Sequence, residues 1–288
     1  MKWAIHFWTA LKVRLGGHMN YESMTPSTEA PTQGHQPNYS ASPTAPQLSP
    51  LERTRIWQKW EAVAPSRMAA FVELTDSCPL EPAGRYIWAT HLSASIAPAL
   101  HTFEVALRNA MHSALSDYYQ RADWYAIPQF FQPQEGGLIK TAIGNAKNKA
   151  KKANRPHTPD DVVSELMLGF WCGLLNSPYD TSVFRPCLSR GFRNLPAPLK
   201  VRSDLNSKVV EFKRIRNRVF HHEPIWNYPG IDQVEAELWV LAEALYPEYS
   251  ILSQDQSHFQ QIFHNRSACK VALDNCLAMC VAQGRILP

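Results

Sequence analysis

Residues 86–120 read YIWATHLSASIAPALHTFEVALRNAMHSALSDYYQ. Leu92, Ile96, Leu100, Phe103, Leu107, Met111 and Leu115 recur three or four positions apart, which is the period of one face of an α-helix and not the alternation of a strand. Pro98 interrupts the run. It lacks a backbone donor and crowds the preceding turn, so a bend is expected there. Strand-like alternation is scarce in the rest of the chain, and the expected fold class is all-α, a helix bundle with connections of ordinary length.

Working outward, residues 52–74 place Ile56, Trp60, Val63 and Ala70 around another helix. Pro159, Asp160 and Asp161 suit the first turn of a helix expected to run through Val162, Leu166 and Phe170. Residues 204–220 and 231–246 give two more. Pro and Gly clusters at 79–84, 128–137, 156–159, 196–198 and 247 punctuate the pattern. These segments together make one helical domain, 51–288. From Met24 to Pro50 there are six prolines and no Lys or Arg, a composition that offers little to offset the entropy of ordering; 24–50 is read as a disordered linker. Ahead of it, 1–23 carries Trp3, Phe7, Leu11 and Leu15 at roughly helical spacing. That segment is read as a short helix or as a start-site extension, because Met19 and Met24 offer alternative starts.

Composition narrows the class. Of 288 residues 45% are apolar, enough for a substantial core, and 29 basic against 25 acidic residues leave a net charge of only +4. So mild an excess does not mark a nucleic-acid binder, and the distribution of charge has to decide. The six cysteines (Cys78, Cys172, Cys187, Cys269, Cys276, Cys280) show no CxxC pair and no zinc spacing, so neither metal nor cofactor is expected and a reducing cytoplasm is. Every apolar stretch is broken by His, Lys, Arg or Pro before the ~18 residues that a spanning helix needs, so no membrane span is expected.

The chemistry points to the end of the 204–220 helix. Leu205, Val209, Phe212 and Val219 form its apolar stripe, and at 100° per residue Arg216 falls about 20° from Leu205, on the same face. A guanidinium starting there needs an anionic or polar partner. Its planar fork suits a phosphate, while His221 can give or take a proton near neutral pH. The pair is a candidate phosphodiester site: a ribose 2'-hydroxyl attacks the adjacent phosphorus without a metal, leaving a 2',3'-cyclic phosphate, with His as general acid or base and Arg stabilising the phosphoryl oxygens. Residues five apart on a straight helix point about 140° from each other. Arg216 and His221 therefore require a helix break, which Pro224 favours, or a second subunit. Asn217 and His222 complete the catalytic candidates, and Arg218 and Glu223 support them. A plainer alternative stays open, in which Arg216 pairs with a core carboxylate and His221 and His222 cap the helix end.

A second constellation is Glu104, Arg108 and His112, four apart on one face of the long helix, with Asn109 alongside. It is either a surface salt-bridge ladder or a support for Arg216. Basic residues cluster in two places: Lys140, Lys147, Lys149, Lys151, Lys152 and Arg155 with no acid among them, and seven basic against two acidic residues between 200 and 218, Arg214 included. Such clusters suit a phosphate backbone, or are simply solvated faces. Trp124, Tyr125, Phe130, Phe131, Phe170 and Trp171 either stack bases or fill the core.

Three stretches together resemble the Abi family of abortive-infection proteins, within the HEPN group of helical ribonuclease domains. They are Phe103-Glu104-Val105-Ala106-Leu107-Arg108-Asn109, then Leu168-Gly169-Phe170-Trp171 with Leu174-Leu175, and Arg216-Asn217-Arg218-Val219-Phe220-His221-His222-Glu223-Pro224-Ile225. The last carries the group's signature: Arg, four residues, His, with Asn after the Arg. The resemblance covers most of 51–250. It implies a HEPN-type helical bundle with additional helices, a homodimer that completes a composite RNA-cleaving site, and an antiphage role as a toxin-like endoribonuclease. It also implies an inhibitory partner, an antitoxin protein or a small RNA. A non-catalytic scaffold that binds RNA or a partner through the same surface is the alternative. The proline-rich first fifty residues, the tail after Ser250 and the Cys276-xxx-Cys280 helix lie outside the pattern.

Overall fold

In the computed structural model the described residues are 48–127, 131–192, 194–249, 258–266, 273–274, 277–278 and 281–282. The expectations for the N-terminal helix, for most of the linker, for Phe130 and for Cys276-xxx-Cys280 lie outside them. The axis of the fold is the helix read first. Helix α3, Glu81–Tyr119, is 39 residues long and continues across Pro98, a length of roughly 58 Å at 1.5 Å per residue. Leu92, Ile96, Leu100, Phe103, Leu107, Met111 and Leu115 are all buried, so the period that defined the helix is its core face.

Helix α1, Pro50–Val63, precedes it, and α2, Pro65–Ala69, follows α1. Ser49 and Glu52 close a reciprocal capping box at the start of α1, and Leu48 is buried. Residues 48–50, assigned to the linker by composition, thus belong to the fold. The single helix expected over 52–74 is two, because Pro65 disfavours helical geometry at the residue before it and Ala64 sits at φ −152°. After α3 come α4, Pro133–Lys152, and α5, Pro159–Glu165, then α6, Leu168–Gly173. The continuous helix expected through Leu166 and Phe170 is therefore broken: Leu166 is extended, and its carbonyl accepts the Trp171 indole N–H at 3.0 Å. A π-helical run, Asp180–Leu188, leads towards α7, Arg202–Phe220, followed by α8, Ile231–Leu245, and α9, Phe259–His264.

Helix α3 packs against α6, α7, α8, α9 and the π-helical run. At one end of the core lie Trp124, Phe170 and Trp171, fully buried, with ring centroids 5.0–6.2 Å apart. That burial removes them as base-stacking surfaces. At the other end a polar stack closes the fold. Arg85 is buried, ion-pairs with Asp76 at 2.6 Å and Glu73 at 2.8 Å, and lies 5.7 Å from the Trp226 ring. Arg266 approaches the same ring at 5.4 Å and Trp88 at 5.5 Å, and the Trp88 indole donates to the Ile262 carbonyl at 2.7 Å. No strand occurs among the described residues. None of their helices is long and apolar enough to cross a membrane.

Candidate functional site

Phe103 on α3 and Phe212 on α7 meet edge to face at 5.0 Å and lock the two helices together. Beside Phe103 stands Glu104, and one turn beyond Phe212 stands Arg216; their side chains meet at 3.4 Å, Nε to Oε2. The core position in that turn belongs to Ile215, fully buried, while Arg216 emerges with a quarter of its side chain exposed. The stripe argument thus put Arg216 too deep. Its charge is held at the rim by a carboxylate, and its guanidinium carbon lies 4.8 Å from the Phe220 ring. Among the described residues only Nε of this guanidinium has a hydrogen-bond partner, which leaves its two terminal amino groups without one.

Helix α7 ends one residue before His221, which is the first non-helical residue at φ −94°, ψ 8°. The next residue, His222, is left-handed at φ 58°. Its N–H donates to the Val219 carbonyl at 3.1 Å, and that of Glu223 to Arg218 at 2.8 Å. These two bonds define a Schellman turn, with His222 where glycine is the usual occupant. The break anticipated from Pro224 is therefore present. Both imidazoles are exposed, and no contact joins either to Arg216 among the described residues. Arg218 turns away from Arg216 towards Asn227, whose Oδ1 accepts from Nη2 at 3.3 Å; Glu223 is 4.0 Å off and more than half exposed. Replacing His222 by Gly should relieve the positive φ and raise stability by about 0.5–1 kcal/mol, visible as a higher urea midpoint. A lower midpoint would mean that the imidazole makes contacts worth more than the strain.

The ladder does not pair with itself. Glu104 binds Arg216, Arg108 Nε donates to Asn109 Oδ1 at 3.3 Å, and among the described residues no ion pair links Glu104 to Arg108. His112 is two turns on from Glu104, about 12 Å along the axis. The Trp124 indole donates to its Nδ1 at 2.9 Å, which places the proton of the neutral ring on Nε2, 3.8 Å from Asp160. Burial holds this imidazole below the ordinary histidine value, against the pull of Asp160 and with help from Arg108. The folded chain thus takes up this proton less readily than the unfolded one. Stability carried by the neutral ring is complete above about pH 6.5 and is lost as pH falls through the depressed folded value. Asp160, raised by burial, acts in the opposite sense from the lower carboxylate range upward. Melting temperatures of the native chain should therefore fall between about pH 7 and about pH 5 more steeply than those of His112→Gln; parallel curves would rule this coupling out.

Among the basic candidates, Lys147, Lys151 and Lys152 are exposed and have no ion-pair partner among the described residues, and Arg214 is exposed on α7. Lys149 pairs with Glu165, and Arg155 grips Asp161 with both terminal nitrogens at 2.6 and 2.7 Å. An open groove of about 470 Å³ lies along Lys147, Lys151, Arg155 and His157. Lys213 counts in the basic cluster between 200 and 218 but is not among the site candidates read from the sequence, although it lies three residues before Arg216 and so on the same side of α7. Its ammonium approaches Gly169, where a Cβ would lie 3.8 Å from Nζ. Lys213 and Glu104 both bear on the buried Cys172 thiol, which desolvation pushes up to about 11, too high for an active nucleophile.

Glu104, Arg216 and Phe220 thus gather where α3 meets α7, Lys213 lies beside Gly169 of α6, and His221 and His222 stand just past the helix end. No family model matches the chain, and no curated protein and no solved structure does either. The geometry alone must carry the chemistry. Arg216 supplies a cation anchored through Nε, and two exposed histidines follow it five and six residues on, just past the helix end. No cluster of three or more His, Cys, Asp or Glu among the described residues could hold a metal ion.

Proposed function

We propose that the chain is an endoribonuclease of HEPN type that cleaves RNA through its 2'-hydroxyl and leaves 2',3'-cyclic phosphate ends, acting as a toxin in abortive-infection defence against phage. The observation that carries this reading is Arg216. Glu104 holds it through Nε, and the two terminal amino groups of a guanidinium match a phosphate's paired oxygens. A neighbouring histidine moves the proton. The strained backbone at His222 favours a side-chain role there, since glycine would suit the turn better, while His221 fits the spacing of the resembled motif. A second copy of the chain, forming a homodimer, would bring a histidine to the fork that its own helix end does not reach. RNA is the substrate, the exposed lysines of α4 add affinity without sequence preference, and an antitoxin or small RNA restrains the activity in the cytoplasm.

One observation favours the non-catalytic alternative: neither imidazole contacts Arg216 within the chain, so the same surface would serve as an RNA- or partner-binding scaffold. Incubating purified protein with total RNA and analysing the product ends separates the two. Cyclic phosphate ends, lost in His221→Ala or in His222→Gly, support the enzyme. RNA that stays intact after co-purified partners are stripped away supports the scaffold.

A further inference from the structure

Phe220 is half exposed although it is the last residue of α7 and carries a guanidinium against its ring. It forms one wall of an open groove of about 460 Å³ whose other wall is Trp239 of α8. The floor is α3 at Ala97 and Pro98, side chains too small to fill the space, and His101 and Thr102 stand along it. The Trp239 indole N–H donates to Glu235 at 2.5 Å, which fixes the ring in place. The volume falls within the ~300–1,000 Å³ of small-molecule sites, whose usual build is apolar walls with a few polar groups. Among the described residues no carboxylate lines the groove.

We propose that this groove is a nucleobase subsite, taking the base of a nucleotide whose phosphate lies on the fork of Arg216. The inference rests on the ribonuclease reading and adds to it where the base goes. An aromatic wall recruits any base through its π-face, and sequence-tolerant stacking of this kind is how single strands are held. His101 and Thr102 offer a donor and an acceptor to the base edge, which makes them the positions where a base preference would be set. The nearby cation distinguishes a nucleotide from an apolar peptide: Arg216 packs against one face of Phe220 at 4.8 Å, so a ligand stacked on the other face lies one ring's thickness from a guanidinium. A base with its phosphate satisfies both at once.

The test uses the full chain and single-stranded oligoribonucleotides made uncleavable by 2'-O-methyl groups, one series with bases and one abasic. The native protein should bind the base-containing strand roughly tenfold more tightly than the abasic one, the worth of about one stacked base. Trp239→Leu, on the wall away from Arg216, should erase most of that difference while leaving abasic affinity unchanged, and Phe220→Leu, which also removes the ring packed against the Arg216 guanidinium, should erase the difference and weaken both strands. Irradiating a 5-bromouridine strand should crosslink it to Phe220 or Trp239. Equal affinity for the two strands, or crosslinks confined to the Lys147–His157 groove, would overturn the subsite and leave the ribonuclease reading standing. So would a Phe220→Leu effect seen only as dissociation of a dimer. A chain that binds neither strand refutes both.

Discussion

Arg216→Ala is expected to cut RNA cleavage by about two to three orders of magnitude, the usual cost of deleting one preorganised group that stabilises transition-state charge. The size follows from how the side chain is held. Glu104 engages Nε, so the group is oriented before any phosphate arrives, and among the described residues its terminal amino groups have no other hydrogen-bond partner. Arg216→Lys keeps the charge and loses the fork, and should recover only part of the rate. Glu104→Gln retains an acceptor for Nε but removes the negative charge, so its loss should be smaller than that of Arg216→Ala. The ion pair is a quarter exposed on each side and adds little to stability, on the order of 1 kcal/mol or less. Cleavage rates read beside melting curves check this: a large rate loss at nearly constant melting temperature is the expected pattern. An alanine variant that cleaves like the native chain would move the chemistry elsewhere.

Trp124→Ala should have the largest effect on stability, a loss of about 3–5 kcal/mol in unfolding free energy. The indole is fully buried, with Tyr125, Phe131, Phe170 and Trp171 around it. Two losses add in the alanine variant: a cavity among aromatic neighbours, and an orphaned acceptor on half-buried His112. Trp124→Phe separates them, because it keeps most of the apolar volume and drops only the donor, and should cost markedly less. Urea titration of both variants decides the matter. An alanine variant within about 1 kcal/mol of the native chain would mean that the surroundings collapse onto the site.

The long helix was legible because its apolar period resumes in register beyond Pro98: each residue from Leu92 to Leu115 that defined the pattern is buried. The break at Leu166 was not, since an apolar residue at that spacing fits a continuing helix, and only the Trp171 indole, by taking its carbonyl, betrays the turn. The arginine itself was found by its misplacement on an apolar stripe, yet Ile215 holds the core and Arg216 the rim, a distinction that a period of 3.6 residues is too coarse to draw. Its pairing with Glu104 joins residues 112 apart, and nothing local encodes that contact. The Schellman turn at His222 was hidden for the opposite reason: the sequence mark for such a turn is glycine, and here a histidine adopts its conformation.

The bond from the Trp88 indole to the Ile262 carbonyl spans 174 residues. During synthesis that contact is out of reach until the chain has grown past residue 262, roughly 10–35 s after Trp88 is made at ~5–20 residues per second. For that interval the N-terminal half of α3 lacks α9 as cover, and Arg266 is not yet there to close over Trp226. The loop following the Arg216–His221 segment contains Trp226, so the setting of the site is completed only once Arg266 has been added. Were the chain the ribonuclease proposed above, assembly in this order would delay cleavage until Arg266 had been added.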